Sequence, residues 1–446
     1  MLKKAATAIV VGGGLAGVTA ARDLALAGVH TTLFEARDRL GGRTAVQTLA
    51  GRPVDTGGAY FHWFQSAIWR EVMRYELPVV ESGLLTAERY MLGTADGILT
   101  VPPEEFEGRL RRGLAAFVGD PSYMELLARP FAFHTNPEIA RLDAMSVEDR
   151  IQQLDLDPKD EQFLRGMLAD FGTHASLAWV LQRMANGVWS YEAILSLFAA
   201  YRLEAGMTTL IEAMVREGGF DVRLSAPVTA IDRDNTGARV TLADGSTSTA
   251  DLVVLATPVS VWKTISFTPA LSEAHQTATT EGVVAPNVNQ MLMHVRGVPE
   301  PVGMFALPDT LAFELVGTHS MIEDGQLLHG FAFYGGISCA AGHAKIEEEL
   351  RRILPQAELV DYVGHDWSTD PYSLGGHCSL NPGQGVRFLD VLDQPQDRLF
   401  VASADIAPQL SGTLTGAIES GARAARRAVQ SLASPVPVPV RVGATA

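Results

Sequence analysis

Cysteine, metal-binding motifs and long apolar runs are scarce or missing in this sequence of 446 residues. Its two cysteines, Cys339 and Cys378, form no Cys-x-x-Cys pair, so the sequence predicts neither a disulfide framework nor a thiol redox centre, and it fits a reducing cytoplasm. No run of about 18 apolar residues occurs, so we expect no membrane-spanning helix. His-Glu-x-x-His, clustered Cys/His and Gly-x-Ser-x-Gly motifs are all missing, and we therefore expect neither a metal site nor a serine nucleophile.

Positive charge is also in short supply. The 35 lysines and arginines stand against 51 aspartates and glutamates, which gives a formal net charge of -16. This balance disfavours nucleic acid and anionic membranes as partners, because both are polyanions. The expected partner is a small molecule. An apolar fraction of 47% is typical of a globular protein, and the length predicts two domains.

The most informative motif lies near the N-terminus, in "TAIVVGGGLAG" at residues 7–17. The β-branched, apolar residues 7–11 predict a buried parallel strand. Gly12, Gly14 and Gly17 follow as G-x-G-x-x-G, in which the first glycine permits a tight turn, the second admits a pyrophosphate, and the third lets a helix pack against the strand. The helix that follows ends near Gly28, and its N-terminus favours phosphate charge.

An acidic residue follows the glycine motif at the distance that a dinucleotide site requires. The second predicted strand, "TTLFE", ends at Glu35, whose carboxylate would accept hydrogen bonds from ribose hydroxyls. FAD and NAD share this arrangement, so the motif alone does not choose between them. The residues of this unit that we expect to bind the dinucleotide are Gly12, Gly14, Leu15, Ala16, Gly17, Glu35, Ala36 and Arg37.

The next segments, "EARDRLGGRT" and "VDTGGAYFHW", resemble the flavin-containing amine oxidase family, which includes monoamine, polyamine and L-amino acid oxidases. The resemblance implies FAD as the cofactor. In the family, the first segment packs along the diphosphate and flavin, and the second lets the backbone reach the isoalloxazine. By matching position, the residues concerned are Gly41, Gly42, Arg43, Gly57, Gly58, Ala59 and Tyr60.

Two later segments extend the resemblance. "FDVRLSAPVTAI" at 220–231 is similar to the strand that binds adenine in the family, with Val228 at the contact. The segment at 398–429 is similar to the last strand and the flavin-facing helix, and it implies cofactor contacts from Ala404, Asp405, Thr413 and Leu414. Ser403-Ala404-Asp405 departs from the usual Gly-Glu, which leaves the role of Asp405 open. Within the family, "LMHVRG" and "HDWSTDP" are most similar to bacterial L-6-hydroxynicotine oxidase and its relatives.

The resemblance implies a fold of mixed α/β and α+β class, assembled from discontinuous segments. A Rossmann-type FAD-binding domain would comprise 1–80, 205–265 and 385–446. A substrate domain with helices and a mixed sheet would comprise 81–204 and 266–384. Helical periodicity over 104–200 and alternation in "VNQMLMHV" and "QLLHGFAFYG" agree with that division.

The sequence departs from the family at the substrate side. Gln290 stands where amine oxidases usually carry a lysine that holds a water at flavin N5. Gln can hold that water but offers oxygen no positive charge, and the alternative is an ordinary polar residue in a strand. Catalytic roles are therefore assigned to Gln290 and His377.

The two aromatic walls of the family's substrate pocket are also replaced. His377 in "DPYSLGGHC" and Thr413 in "SGTLTGA" stand where aromatic rings are usual, and His377 could instead be a packed histidine. The expected substrate contacts are Tyr60, His62, His377 and Thr413. For His62 the sequence leaves a structural role open. Gly376 stands where some relatives carry a flavin-linking cysteine, so we expect non-covalent FAD.

These observations predict an FAD-dependent amine oxidoreductase in which a hydride passes from the α-carbon of a neutral amine to flavin N5 and gives an imine. The expected electron acceptor is oxygen or another molecule. Two alternatives stay open, namely a dehydrogenase or desaturase with an acceptor other than oxygen, and a flavin-binding protein without turnover. The sequence names neither the amine nor the oligomeric state, and a homodimer is one of the options.

Overall fold

A computed structural model describes residues 6–119, 136–185, 193–194, 199–283, 288–333 and 335–433. Helices and strands are numbered in chain order within those residues. The strands are β1 Thr7–Val11, β2 His30–Phe34, β3 Val46–Leu49, β4 Arg52–Asp55, β5 Val79–Glu81, β6 Arg89–Thr94, β7 Gly97–Val101, β8 Tyr201–Leu203, β9 Asp221–Arg223, β10 Val228–Arg233, β11 Ala238–Leu242, β12 Thr247–Ala250, β13 Leu252–Leu255, β14 Ser266–Thr268, β15 Asn289–Arg296, β16 Val302–Ala306, β17 Leu315–Ile322, β18 Gly325–Ala332, β19 Glu358–Asp366 and β20 Leu399–Val401. The helices are α1 Leu15–Leu26, α2 Ser66–Arg74, α3 Pro103–Val118, α4 Pro137–Asp143, α5 Val147–Gln152, α6 Pro158–Met167, α7 Leu177–Ala185, α8 Thr208–Gly218, α9 Glu273–Glu281, α10 His343–Ile353, α11 Gln384–Phe388 and α12 Leu414–Ala433.

A parallel sheet of five strands has the order β20-β13-β1-β2-β9. Its central strands are apolar on both faces because both faces are covered. Ala8 and Val10 pack into a cluster with α1, α8 and α12, whereas Ile9 and Val11 pack into a second cluster with the sheet of β10 to β12. The continuous apolar run of β1 therefore follows from its position between two layers.

A smaller sheet, in the order β12-β11-β10-β14, covers the second face of the parallel sheet. β11 and β12 form the hairpin that the sequence predicts around Asp244-Gly245. Asp244 Oδ1 accepts a hydrogen bond from the amide of Ser246, and Gly245 has a φ of +81°, which a glycine tolerates without strain. Residues 220–231, expected as one strand, instead form β9 and β10 in two different sheets.

A separate mixed sheet has seven strands in the order β19-β15-β18-β17-β16-β6-β7. All neighbours in it are antiparallel except β16 and β6. β15 lies between β18 and β19 and is buried over seven of its eight residues. The helices α3 to α7 supply the helical region that periodicity predicts within 104–200, although 120–135, 186–192 and 195–198 lie outside the described residues.

The five strands of the parallel sheet all come from the three segments that the sequence assigns to FAD binding. β14, which pairs with β10, begins one residue past the boundary at 265, so the division into domains stays a proposal. No helix in the described part of the chain is long and apolar enough to cross a bilayer. Among the same residues, no three His, Cys, Asp or Glu side chains are grouped as a metal ion would require.

Candidate active site

A cavity of about 480 Å³ lies between the parallel sheet and the seven-stranded sheet. The carboxyl ends of β1, β2 and β13 form one wall, through Gly12, Glu35 and Ala256. Gln290 of β15 and Phe331 of β18 face the cavity from the other sheet. In open parallel sheets, ligands bind at the carboxyl ends of the strands, where the N-termini of the following helices also point.

The turn from β1 to α1 needs its glycines for backbone reasons. Gly12 has a φ of +107°, and a Cβ there would lie 2.8 Å from the carbonyl oxygen of Ala256. Gly17 does not line the cavity, because its role is to seat α1 on the strand: a Cβ at Gly17 would lie 1.9 Å from the carbonyl oxygen of Gly12. Gly14, Leu15 and Ala16 line the cavity as the sequence predicts, so the first amides of α1 are available to a phosphate.

Glu35 lies in the cavity wall with its carboxylate held by the backbone. Oε2 accepts a hydrogen bond of 2.6 Å from the amide of Gly13, and Oε1 accepts one of 2.9 Å from the amide of Arg37. An ionised carboxylate accepts about four hydrogen bonds, so two acceptor positions are left for ligand hydroxyls. Ala36 and Arg37 line the cavity beside it.

Arg43 lies in the cavity wall and contacts two segments that are distant from it in sequence. Nη1 donates a hydrogen bond of 2.6 Å to the carbonyl oxygen of Gly376, and Nη2 lies 2.8 Å from Oδ1 of Asp405. Asp405 was expected to contact the cofactor, but it is 1% exposed and lies behind the wall, where its other oxygen accepts a hydrogen bond from the amide of Val259. Its position suits a residue that orients Arg43 rather than one that contacts a ligand.

The remaining cofactor positions expected from the sequence are brought to the same cavity. The residues concerned are Gly42, Gly58, Ala59, Tyr60, Val228, Ala404, Thr413 and Leu414. Thr413 Oγ1 donates to the carbonyl oxygen of Leu410 and accepts from the amide of Gly416, so its hydroxyl caps α12. The N-terminus of this 20-residue helix therefore points its positive end at the cavity.

Gln290 is joined to Tyr60 through a buried histidine. Gln290 Oε1 lies 3.0 Å from Nε2 of His329, and Nδ1 of the same ring lies 2.5 Å from the hydroxyl of Tyr60. Gln290 and Tyr60 both line the cavity, whereas His329 is fully buried behind them. Burial, with His319 nearby, holds the pKa of His329 well below its usual range, so the ring is neutral.

His377 lies in the cavity wall beside two charged residues. Its Nε2 atom is 3.7 Å from Oδ1 of Asp170, which also lines the cavity, as does Arg183. Burial lowers the pKa of His377, and the positive charges of Arg183 and Arg43 lower it further against the opposing effect of Asp170. The imidazole is therefore neutral at pH 7, and it titrates below the ordinary range of histidine.

His62 lies outside the cavity wall, which corrects the expectation that it contacts substrate. Its ring stacks on Phe64 at a centroid distance of 4.6 Å and lies 5.7 Å from the ring of Tyr201. Nδ1 accepts a hydrogen bond of 3.1 Å from the amide of Phe64, and burial lowers its pKa. These contacts assign His62 a packing role.

The model of the family described as flavin containing amine oxidoreductase matches residues 15–429. The chain belongs to this family. Its cofactor is a flavin, and it is an enzyme that oxidises amines and passes the electrons to an acceptor. The resemblance expected from the sequence is thereby confirmed, and a binding protein without turnover is no longer a candidate.

Curated relatives cover almost the whole amine oxidoreductase. Nicotine dehydrogenase of Pseudomonas putida is 33% identical over 430 residues, which span 95% of this chain and 88% of the relative. (S)-6-hydroxynicotine oxidase of Paenarthrobacter nicotinovorans is 30% identical over 424 residues, 93% of this chain and 97% of the relative. A solved structure of putrescine oxidase bound to putrescine superposes with a TM-score of 0.80 at 21% identity, covering 96% of this chain and 99% of that chain, which confirms the fold.

Several residues that line the cavity of the amine oxidoreductase were not predicted from the sequence. Phe331 and Phe333 alternate on and after β18, on the face of Gln290, and the pattern "HGFAF" beside the predicted β15 could have indicated them. Asp170 and Arg183 lie on helical elements remote in sequence, where no motif marks them. The further wall residues not expected from the sequence include Gln65, Thr257, Val261, Val288, Trp367, Pro371, Tyr372 and Ser373.

Proposed function

We propose that this amine oxidoreductase binds FAD non-covalently, oxidises an amine that carries an aromatic ring, and passes the electrons to an acceptor other than oxygen. The observation that carries the proposal is the neutral side chain of Gln290 at the cavity wall. The described residues that line the cavity include arginines but no lysine.

FAD fits the shape and chemistry of the cavity. The glycine turn leaves room for a diphosphate at the N-terminus of α1, and Glu35 keeps acceptor positions for ribose hydroxyls. Val228, at the start of β10, lines the same cavity, and the resemblance implies that this residue contacts adenine. FAD has an adenosine that Glu35 and Val228 could contact, whereas FMN has none, so these two residues favour FAD.

Non-covalent attachment follows from the residues near the ring-binding end. Gly376 has no side chain to form a bond. Cys378 is fully buried and does not line the cavity, and its Sγ lies 3.5 Å from the carbonyl oxygen of Asp405. Burial raises the pKa of the Cys378 thiol to about 12, so no thiolate is available to attack a flavin at neutral pH.

A bound flavin would supply the two-electron acceptor for the hydride that a neutral amine loses from its α-carbon on becoming an imine. The protein orients the partners and sets the electrostatics. The N-terminus of α12 provides a positive dipole end where negative charge collects. Gln290 offers polar amide atoms to the cavity, and neutral His377 accepts or donates a hydrogen bond without repelling an amine.

The electron acceptor is inferred from the lack of positive charge on the side chain of Gln290. Oxygen reduction is favoured by a cation that stabilises the developing negative charge, and a carboxamide supplies none. One relative is named a dehydrogenase and another an oxidase, so the names alone leave the choice open. The missing lysine favours the dehydrogenase.

The substrate class is inferred from the aromatic wall. Phe331 and Phe333 face the cavity, with ring centroids 5.8 Å apart and an interplanar angle of 21°. Two nearly parallel rings suit a flat aromatic group, which stacks in an offset manner on such faces. Two relatives are named for nicotine and 6-hydroxynicotine, both of which carry an aromatic ring and an amine.

The test is anaerobic reduction followed by reoxidation. Purified protein is mixed with nicotine, 6-hydroxynicotine or putrescine under nitrogen, and flavin bleaching is recorded. The reduced protein is then mixed with oxygenated buffer or with 2,6-dichlorophenolindophenol. We expect an aromatic amine to bleach the flavin, the dye to restore it quickly and oxygen to restore it slowly. Rapid recovery in oxygen would refute the acceptor, bleaching by putrescine alone would refute the substrate class, and flavin that stays with denatured protein would refute non-covalent binding.

A further inference from the structure

His329 is the connection between two cavity-wall residues that lie on separate parts of the fold. It stands on β18, one strand from Gln290, while Tyr60 follows the glycine segment at 57–58. The ring has no exposed surface, so water does not compete for its nitrogen atoms. Both nitrogens are used, each by one cavity residue.

With the carboxamide oxygen of Gln290 placed towards His329, the hydrogen bonds define which nitrogen carries the proton. A carboxamide oxygen only accepts, so His329 Nε2 must donate to Gln290 Oε1. A neutral imidazole carries one N–H, so Nδ1 is an acceptor and the hydroxyl of Tyr60 donates to it. The neutrality follows from burial, as the lowered pKa of His329 indicates.

This tautomer determines what the two wall residues present to the cavity. The oxygen of Gln290 is occupied by His329, so the amide nitrogen is the end of the carboxamide left for the cavity. The single hydroxyl proton of Tyr60 is also occupied, so its oxygen offers lone pairs only. One wall residue is thus a donor and the other an acceptor.

We propose that His329 is a positioning residue that turns the carboxamide of Gln290 so that its N–H groups face the flavin and substrate. The N–H groups then occupy the place of the donor that a lysine would supply, without its charge. That the N–H groups of Gln290 face flavin and substrate rests on the proposed function, whereas the tautomer of His329 does not depend on it. In the opposite network, His329 Nδ1–H would donate to the hydroxyl of Tyr60, and the amide nitrogen of Gln290 would donate to Nε2. The carbonyl oxygen of Gln290 would then face the cavity instead.

The first test is the tautomer itself, measured on unmodified holoprotein. In protein labelled with ¹⁵N-histidine, long-range ¹H–¹⁵N correlation spectra distinguish Nε2–H, Nδ1–H and doubly protonated rings. His275 is an internal control, because its Nε2 lies 3.2 Å from the carbonyl oxygen of Leu392 and must donate. We expect His329 to show the same Nε2–H pattern at pH 7. An Nδ1–H or doubly protonated pattern would overturn the proposal.

The second test separates positioning from packing with two variants of similar size. The amide nitrogen of a glutamine can reach the position of His329 Nε2, whereas an asparagine reaches only that of Nδ1. We expect His329→Asn to slow anaerobic flavin reduction about tenfold, the scale of one lost hydrogen bond, at nearly unchanged substrate affinity. His329→Gln is expected to recover most of that loss. Equal loss in both variants would refute positioning by His329.

The two tests also separate this proposal from the proposed function. Protein that takes up no flavin but shows the Nε2–H pattern would refute the cofactor assignment and leave the tautomer established. Protein that is bleached by an aromatic amine but shows the other tautomer would leave the function standing and refute the role of His329. The assignment of the ¹⁵N signals comes from their disappearance in either variant.

Discussion

Arg37 Nη2 lies 2.5 Å from Oδ1 of Asp370, and this contact joins the segment after β2, which contains Glu35, to the loop after β19. Asp370 Oδ2 lies 2.8 Å from Nε2 of His365, and Arg37 also donates to the hydroxyl of Ser373. Burial opposes ionisation of Asp370, but the hydrogen bonds from His365 and Arg37 outweigh it and hold the pKa of the carboxyl well below its usual range. These contacts of Asp370 with Arg37 and His365 are called the clasp below. They hold the loop after β19 beside the cavity.

The first prediction concerns this clasp. Asp370→Asn removes the negative charge while keeping the size of the side chain. We expect flavin binding to weaken by about 1–3 kcal/mol, the cost of weakening a charged hydrogen bond, because the loop 370–376 is less firmly held against Arg37. Fluorescence titration of flavin into the deflavinated variant and wild type measures the difference.

Asp96→Asn is the matched control for the clasp, since Asp96 is an exposed residue in the turn between β6 and β7. It makes the same change of charge far from the cavity, and its flavin affinity should equal that of the wild type. If Asp370→Asn also leaves the affinity unchanged, the loop is held by its other contacts and the clasp does not retain flavin.

The second prediction concerns Gly17. Gly17→Ala places a methyl group 1.9 Å from the carbonyl oxygen of Gly12, so α1 must move away from β1. We expect a loss of flavin content and a loss of stability of several kcal/mol, the scale of an overpacked core site. Chemical denaturation and the flavin-to-protein absorbance ratio measure the two effects.

Gly108→Ala in α3 is the control for this substitution, because the nearest atom to its added methyl group is the side chain of Arg112 at 3.5 Å. It should be neutral or stabilising by up to about 1 kcal/mol, since alanine favours a helix interior over glycine. Full flavin content in Gly17→Ala would show that α1 tolerates the displacement.

The sequence could predict that the glycine turn and Glu35 lie together, because the signals for this part of the cavity wall are local; that the wall binds a nucleotide stays a proposal. The glycines and Glu35 lie within a single strand-helix-strand unit, and each has a backbone reason for its position. The same holds for the Asp244-Gly245 hairpin. A residue whose role depends on its neighbours in sequence can therefore be recognised from a local sequence pattern.

The rest of the candidate site was harder to predict because it is built by tertiary contacts. Asp405 occupies the expected segment, yet the packing of Arg43 and Val259 takes it behind the wall. His62 is turned away by the rings of Phe64 and Tyr201, which no local spacing indicates. The connection from Gln290 to His329 crosses strands and has no motif.

The third prediction concerns the electron acceptor. Gln290→Lys introduces a cation at the cavity wall, which stabilises negative charge developing on oxygen. We expect reoxidation of the reduced enzyme by oxygen to be faster by about tenfold or more, the equivalent of ~1.4 kcal/mol. Stopped-flow mixing of pre-reduced protein with oxygenated buffer measures this rate.

Gln394→Lys adds the same charge at an exposed position after α11 and should leave the oxygen rate unchanged. Reoxidation of Gln290→Lys at the wild-type rate would show that position 290 does not influence oxygen at the flavin. Faster reoxidation in both variants would attribute the effect to overall charge.

The last prediction concerns His377 and pH. We expect His377→Ala to slow substrate-driven anaerobic flavin reduction while leaving flavin content intact. The ring lines the cavity, but it is not among the residues expected to bind the nucleotide. The pKa of His377 is lowered by burial, so the ring stays neutral at pH values where a free histidine is already protonated.

The sign of the pH effect follows from that shift. A free histidine gains its proton near pH 6.5, and His377 gains its proton only at more acidic pH; the charged ring then repels the ammonium form of the amine, so the reduction rate should fall at a pH below the pKa of free histidine. His377→Asn keeps a hydrogen-bonding group without a titrating proton, and it should lose this acid limb while retaining more activity than His377→Ala. Reduction rates that match the wild type at every pH would assign His377 to packing. An acid limb that persists unchanged in His377→Asn would show that a group other than His377 causes it.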